Sequence, residues 1–298
     1  MSILATEFGP VGYTDDGSGP ALVFVHGFLF DRRMWRRQIE SFTAIGYRVI
    51  CVDMVGFGDS AVAGGPIAMG MQSRAVLAVL DDRGIDQAVL VGYSMGGQVV
   101  LDLLTKNPER ASAAVFSDTF AGLDSPEVVA GRLALADRLE TEGVHKYAEE
   151  FLPLVLSART VHERPEVAAH ARAMMAAAHP MIAAAALRGR AARPDYTETA
   201  RTLDIPTLVL AGAEDVFDRG VLAAELAALI PAAQLAIIPE AGHTPSMETP
   251  DVFDSVVREF LERHSGEIAA QPPVRHVGDQ EPTEVQQEVP DDHDLVPD

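Results

Sequence analysis

Short apolar runs alternate along the chain with longer segments in which apolar residues recur at helical spacing. The runs are not the alternating apolar and polar residues of a half-exposed strand, so they predict a parallel sheet covered by helices on both faces. The predicted strands are 21–26, 47–53, 87–93, 111–118, 206–212 and 233–239. The predicted helices between and after them are 31–43, 68–83, 95–106, 218–229 and 250–263. The predicted fold class is therefore α/β, with a mostly parallel, doubly wound sheet.

A helical insertion interrupts this alternation between about residues 120 and 200. The segment contains no strand-like run and is rich in Ala, Leu, Met, Glu and Arg, which predicts helices over 126–141, 143–156, 164–178 and 180–192. Because it connects two parallel strands, we expect it to cover the carboxyl edge of the sheet as a cap. Open α/β sheets place their binding sites at that edge. The polar, glycine-rich segment before residue 20 predicts a short antiparallel start to the sheet.

Length and composition favour a globular protein that is not membrane-embedded. The chain has 298 residues, 48% of them hydrophobic, which is enough to bury a substantial core. No uninterrupted apolar run approaches the length of a membrane span, and the first residues do not have the pattern of a secretory signal. The single cysteine, Cys51, excludes an intrachain disulfide and a multi-cysteine metal site. These features predict a cytoplasmic protein.

The net charge of −21 is concentrated towards the end of the chain. Residues 265–298 contain nine acidic residues, one arginine, five prolines and no aromatic residue. Such a segment buries too little apolar surface to offset its ordering entropy, so it is predicted to be a disordered, solvated tail after a domain at 1–264. An acidic tail that binds a partner is the alternative. The overall acidity makes nucleic acid an improbable partner.

The segment VGYSMGG, residues 91–97, carries the strongest chemical signal. It places Ser94 at the carboxyl end of a predicted central strand, immediately before a predicted helix. Gly92 and Gly96 allow the sharp turn that would hold a serine in strained geometry with its hydroxyl free of the sheet. Ser94 is therefore the candidate nucleophile.

A serine nucleophile needs a base, and nine histidines are available. His243 lies in a loop after the last predicted strand, again at the carboxyl edge, and is the candidate base. We expect the other histidines to be structural or solvated, and His26 to shape the loop after the first parallel strand. They are His26, His145, His162, His170, His179, His264, His276 and His293.

The base needs a carboxylate to orient it. Asp215 follows the strand 206–212 and is the favoured candidate. Asp118 is the rival, because it ends the strand expected to lie next to that of Ser94. Asp53 is expected to fix the turn DMVGFGDS through its backbone instead.

Two backbone N–H groups are needed to stabilise the oxyanion of acyl transfer. Met95, at a helix N-terminus, supplies one, and Phe28, in the loop after the first parallel strand, is the candidate for the other. Asp31 is the expected N-cap of the next helix and Trp35 an expected core residue. The candidate lining residues of an apolar substrate pocket are Phe28, Leu29, Tyr93, Met95, Phe120 and Phe217.

These segments together resemble the α/β-hydrolase family. HGFLFDRRMW, DMVGFGDS, VGYSMGG, AGAEDVF and EAGHTPSMETP are similar to five segments of that family, in the same order, over roughly residues 20–263. Within the family, the helical insertion, which ends in LRGRAARPDYTETARTLDIPTLVLAG, looks most like that of 3-oxoadipate enol-lactonase-like and related small-ester hydrolases. Tyr93 stands where many relatives have histidine, and VFDRG follows Asp215 in place of the frequent Thr-Pro.

The residues and the resemblance together predict a serine hydrolase that cleaves a small carboxylic ester, thioester or lactone. Neither a cofactor nor a metal ion is implied. Perhydrolysis or C–C bond hydrolysis by the same three residues is one alternative, and a ligand receptor on a hydrolase scaffold is another. The sequence does not identify the substrate or the oligomeric state.

Overall fold

The computed structural model describes residues 1–61 and 67–269, and its centre is an eight-stranded sheet. The strands are β1 (Ser2–Thr6), β2 (Gly9–Gly17), β3 (Ala21–Val25), β4 (Arg48–Val52), β5 (Ala88–Tyr93), β6 (Ala111–Ser117), β7 (Thr207–Gly212) and β8 (Gln234–Ile238). The last six of them match the six predicted strands to within one residue at each end. Strands β1 and β2 form the predicted antiparallel start.

The strand order confirms a doubly wound α/β fold. The order is β1-β2-β4-β3-β5-β6-β7-β8, and every pair from β4 to β8 is parallel. The order reverses between β3 and β5, because the chain runs outward from β3 to β4 on one side and from β5 to β8 on the other. Such a switch point opens a crevice at the carboxyl ends of the strands. The loop containing Phe28 and the turn containing Ser94 both leave from this point.

The central strands are buried on both faces. Every residue of β3, β5, β6 and β7 is buried, which explains why these strands appear in the sequence as continuous apolar runs. Trp35 lies in this core, packed against Phe24 with 5.0 Å between the ring centroids. The expected core position of Trp35 is therefore confirmed.

Helices cover both faces of the sheet. They are α1 (Arg36–Thr43), α2 (Met69–Asp82), α3 (Met95–Lys106), α9 (Thr197–Thr202), α10 (Val221–Leu229), α11 (Pro245–Glu248), α12 (Pro250–Arg263) and α13 (Ser265–Ala269). Right-handed crossovers place α1 on one face, where it packs against α12, and α2, α3 and α10 on the other. None of the described helices combines the length and the hydropathy needed to cross a membrane.

The predicted helical cap lies between β6 and β7. It contains α4 (Pro126–Glu142), α5 (His145–Val155), α6 (Ala158–Glu163), α7 (Pro165–Ala177) and α8 (Pro180–Ala191). Helices α4 and α8 form its most extensive helix pair. Gly189 of α8 lies directly against the backbone carbonyl of Ile67, where any side chain would clash. The cap is thus packed onto the sheet domain at the start of α2.

The structure differs from the prediction at the beginning of the tail. Ser265–Ala269 form the short helix α13 instead of the start of a disordered segment. The physical reason is Ile268, which is buried and gives these residues an apolar contact with the core. The rest of the predicted tail, 270–298, lies outside the described residues.

Candidate active site

Ser94 occupies a strained turn between β5 and α3. Its φ of 50° and ψ of −114° lie in a region that side-chain-bearing residues rarely adopt. A side chain at Gly92 would lie 2.6 Å from the backbone of Gly97, and one at Gly96 would clash with the carbonyl oxygens of Val25 and His26. The two glycines therefore permit the turn that presents Ser94 at the edge of the sheet.

Three of the predicted site residues form one hydrogen-bonded chain. Ser94 Oγ lies 3.0 Å from His243 Nε2, and His243 Nδ1 lies 2.7 Å from Asp215 Oδ2. Asp215 is fully buried after β7, whereas 6% of Ser94 and 8% of His243 remain exposed. The loops after β7 and β8 meet Ser94 from one side, because β7 and β8 are neighbours in the sheet.

Asp118 lies beside this chain but makes different hydrogen bonds. One oxygen each of Asp118 and Asp215 and one nitrogen of His243 lie within 4.8 Å of one another. The Asp118 carboxyl accepts hydrogen bonds from the Ser117 hydroxyl at 2.6 Å and from the Gly212 N–H at 2.9 Å. Burial raises the pKa of Asp118 well above its usual range, and the charge of Asp215 acts in the same direction. The carboxylate bonded to the imidazole is therefore that of Asp215.

We expect Asp118→Asn to raise the melting temperature at pH 8 and to have little effect near pH 4. The pKa of Asp118 is higher in the folded than in the unfolded protein. The contribution of this side chain to stability is therefore fully present below the unfolded pKa of about 4 and is lost as the pH rises. Asparagine resembles the neutral acid and avoids this loss. A gain of about 1 kcal/mol in the free energy of unfolding corresponds to a rise of roughly 2–4 °C in the melting temperature. Circular dichroism melts from pH 4 to pH 8 measure it, and a pH-independent difference would contradict the expectation.

The two candidate oxyanion donors lie on either side of the switch point. Met95 is the first residue of α3, and Phe28 lies in the loop after β3. Within residues 1–61 and 67–269, neither N–H has a hydrogen-bond acceptor. Phe28 lines the same cavity as Ser94, and Met95 follows Ser94 at a helix N-terminus, so these free N–H groups suit a negative charge that develops at this edge of the sheet.

A cavity of about 360 Å³ lies between the cap and the sheet edge, with Ser94 and His243 in its wall. Of the residues predicted to line it, Phe28, Tyr93, Phe120 and Phe217 do so. Leu29 does not line the cavity, so that prediction is wrong: its backbone has a φ of 63° and its side chain is fully buried in the core. Met95 is also buried and contributes no lining side chain. The volume suits a small organic substrate.

The family assignment follows from the comparison with known sequences. The family described as alpha/beta hydrolase fold matches residues 20–250 of this chain. The chain belongs to the α/β-hydrolase family. The resemblance seen in the five sequence segments is thereby confirmed.

Individual relatives of this α/β-hydrolase are an esterase and two enol-lactonases. A thermophilic esterase from Thermogutta terrifontis, solved with malate bound, is 35% identical; the match covers 88% of this chain and 98% of that one, with a TM-score of 0.84. The enol-lactonase from Burkholderia xenovorans LB400 is 27% identical over 88% of this chain and 100% of its own, with a TM-score of 0.81. The 3-oxoadipate enol-lactonase 2 of Acinetobacter baylyi is 28% identical over 87% of this chain and 94% of its own. These relatives support a hydrolase acting on a small molecule.

Three residues near the site of this α/β-hydrolase have the structural roles that the sequence predicts. His26 is fully buried, with Nδ1 2.8 Å from the Gly27 carbonyl and Nε2 accepting from the Met54 N–H. Burial lowers its pKa, so it remains neutral and shapes the loop. Asp53 accepts hydrogen bonds from the N–H groups of Arg32 and Asp59, which fixes the turn after β4. Asp31 accepts from the Arg33 N–H, as expected of an N-cap.

Several cavity residues of the cap were not found by sequence reasoning. Tyr147 and Phe151 stack with 5.2 Å between their ring centroids, and both line the cavity with Arg132 and Arg190. Their sequence context is that of an ordinary amphipathic cap. The direction in which a cap helix points its side chains depends on tertiary packing, so the sequence carries no signal that selects them.

In the described part of the chain, the side chains of Asp118, Asp215 and His243 are the group whose spacing could hold a metal ion. Their hydrogen bonds fit a proton-transfer arrangement better. His243 Nδ1 faces Asp215 and Nε2 faces Ser94, and the raised pKa of Asp118 favours its neutral form, which is a poor metal ligand.

Proposed function

We propose that this α/β-hydrolase is a serine hydrolase that cleaves a small carboxylic ester, thioester or lactone through an acyl-enzyme. The observation that carries the proposal is the continuous chain from Ser94 Oγ through His243 to Asp215 in the wall of a largely apolar cavity. A neutral serine is a weak nucleophile, and an adjacent imidazole held by a buried carboxylate activates it.

In the acylation step, His243 Nε2 takes the proton of Ser94 Oγ as the oxygen attacks the substrate carbonyl carbon. The carbonyl oxygen becomes an oxyanion, and the N–H groups of Phe28 and Met95 donate to it. Asp215 Oδ2 accepts the hydrogen bond of Nδ1–H and stabilises the imidazolium. The C–O bond to the leaving group then breaks, and His243 returns the proton to the departing oxygen.

Deacylation repeats these roles with water. His243 removes a proton from a water molecule that attacks the acyl carbon, and the second tetrahedral intermediate expels Ser94 Oγ, which regains its proton. The sum is ester plus water giving acid plus alcohol. Phe217 packs edge-on against the His243 ring, with 4.9 Å between the centroids.

Burst kinetics with 4-nitrophenyl butyrate test this function. We expect an initial release of about one nitrophenolate per protein, followed by steady turnover, as acyl-enzyme kinetics require. Protein pretreated with a fluorophosphonate is the control and should give neither phase. Release of one equivalent without further turnover would support the receptor alternative. Wild-type protein that releases no nitrophenolate would contradict the proposal.

A further inference from the structure

Glu248 is a buried carboxylate next to the histidine loop that the mechanism above does not use. It is the last residue of α11, the short helix that begins directly after Thr244, and only 2% of it is exposed. Within residues 1–61 and 67–269, its partners are hydrogen-bond donors, and no cationic side chain pairs with its carboxylate. Burying a carboxylate without a cation is costly, so its position calls for a specific reason.

The carboxylate of Glu248 joins the histidine loop to the cap. Oε1 accepts a hydrogen bond from the Thr244 N–H at 3.1 Å, and Oε2 accepts one from the Ser157 N–H at 2.7 Å. Ser157 lies between α5 and α6 of the cap. The Thr244 hydroxyl lies 3.1 Å from Oε1 and 2.9 Å from the carbonyl oxygen of Val155, the last residue of α5. The groups that face the carboxylate are all donors, which suits its ionised form because that form only accepts.

The main chain before His243 is packed against the same connection. A side chain at Gly242 would lie 2.7 Å from the Ser157 nitrogen and 3.1 Å from Glu248 Oε1. The Gly242 carbonyl also lies directly against Gly212 at the end of β7, where any side chain would clash. The main chain at His243 is thus held between β7 and the cap, and Glu248 supplies the polar contacts to the cap.

The imidazole ring of His243 is fixed by other groups. Asp215 lies 2.7 Å from Nδ1, and Ser94 Oγ lies 3.0 Å from Nε2. These two contacts are made only if the main chain presents the ring at the right place. A displacement of a catalytic group by about 1 Å can cost roughly 100-fold in rate. The position of the loop therefore matters as much as the orientation of the ring.

We propose that Glu248 is a positioning residue for His243. By bonding main-chain N–H groups of the histidine loop and of the cap, it holds the loop against the cap and keeps Nε2 within reach of Ser94 Oγ. The inference rests on the proposed role of His243 in hydrolysis. Helix α5, which ends at this connection, also places Tyr147 and Phe151 in the cavity wall. The same carboxylate thereby sets the histidine relative to a wall that contacts the substrate.

Glu248→Gln tests the inference, because glutamine keeps the shape but has only one acceptor oxygen for the two N–H groups. We expect kcat for 4-nitrophenyl butyrate to fall by roughly 10- to 100-fold, the range for a buried donor deprived of a charged acceptor. His243 serves both acylation and deacylation, so both steps should slow together and KM should stay within about threefold of the wild-type value.

Asp102→Asn is the matched control. Asp102 is also 2% exposed and accepts hydrogen bonds from Ser73, Lys106 and Tyr196, but it joins α2 and α3 to the start of α9 and not to the histidine loop. Its replacement should lower the melting temperature and leave kcat within about twofold of wild type. The comparison separates positioning from a general loss of stability.

A measurement without turnover separates this inference from the proposed function. The proton that His243 Nδ1 shares with Asp215 should give a low-field proton NMR resonance, assigned by its loss in His243→Ala. We expect Glu248→Gln to shift or broaden this resonance and Asp102→Asn to leave it unchanged. If the wild-type protein cleaves no ester, the proposed function fails, and the resonance still decides whether Glu248 positions the histidine.

The inference is overturned if folded Glu248→Gln protein keeps the wild-type resonance or the wild-type kcat, or if Asp102→Asn lowers kcat as much. Should Glu248→Gln not fold, Gly242→Ala replaces it. The added methyl group would push the loop away from the Ser157 nitrogen and Glu248 Oε1 while the carboxylate stays in place. The same changes in the resonance and in kcat are expected, and unchanged values would equally overturn the inference.

Discussion

Ser94→Ala is expected to lose on the order of 10⁵ to 10⁶ in kcat for 4-nitrophenyl butyrate, the loss seen when a serine hydrolase is deprived of its nucleophile. The hydroxyl lies 3.0 Å from His243 Nε2, and its removal leaves the imidazole without the group that it activates. Alanine fits the same strained backbone without a new contact, so the fold should persist. Steady-state kinetics and labelling with a fluorophosphonate measure the effect, and only the wild-type protein should be labelled.

Ser117→Ala provides the matched control for this experiment. Ser117 is also a buried serine at the carboxyl edge of the sheet, but its hydroxyl donates to Asp118 and not to His243. Its replacement should cost about tenfold or less and should leave the labelling of Ser94 intact. If folded Ser94→Ala protein retains esterase activity while Ser117→Ala loses it, the nucleophile has been assigned to the wrong serine.

The sheet was predictable from the sequence because its strands are buried on both faces. A strand such as β5 has no solvent-facing side, so it consists of consecutive apolar residues up to Gly92 and Tyr93, and the turn at Ser94 follows. Short helices were harder to predict. α6 and α9 have six residues each, too few for a helical period to be recognisable, so neither lies within a predicted helix.

The meeting of Ser94, Asp215 and His243 was predictable from topology, since neighbouring parallel strands end at the same edge. The direction of individual side chains was not. Leu29 follows Phe28 in the same loop, yet its left-handed backbone turns the side chain into the core. Arg190 and Arg188 differ by two positions on one helix, and only the packing of the cap on the sheet decides which of them faces the cavity.

The orienting carboxylate gives the second large expected effect. Asp215→Asn should lose about 10³ to 10⁴ in kcat, because asparagine keeps the shape but favours the wrong imidazole tautomer; a loss of about 10⁴ is known for the corresponding change in a serine protease. Asp215 Oδ2 lies 2.7 Å from His243 Nδ1 and is fully buried, so no water can replace it. Kinetics with 4-nitrophenyl butyrate, on protein checked for folding by circular dichroism, measure the loss.

Asp118→Asn decides between the two carboxylates, because Asp118 lies within 4.8 Å of the same histidine but is bonded to Ser117 and Gly212. Its raised pKa favours the neutral acid, which stabilises an imidazolium far less than a carboxylate does. We therefore expect Asp118→Asn to lose only about tenfold in kcat, so the losses of Asp118→Asn and Asp215→Asn should differ by a factor of at least 10². The reverse order of the two losses would assign the orienting acid to β6. In that case the double variant of Asp118→Asn and Asp215→Asn should have a kcat no lower than that of Asp118→Asn alone. Our assignment predicts instead that the kcat of the double variant lies within about tenfold of that of Asp215→Asn.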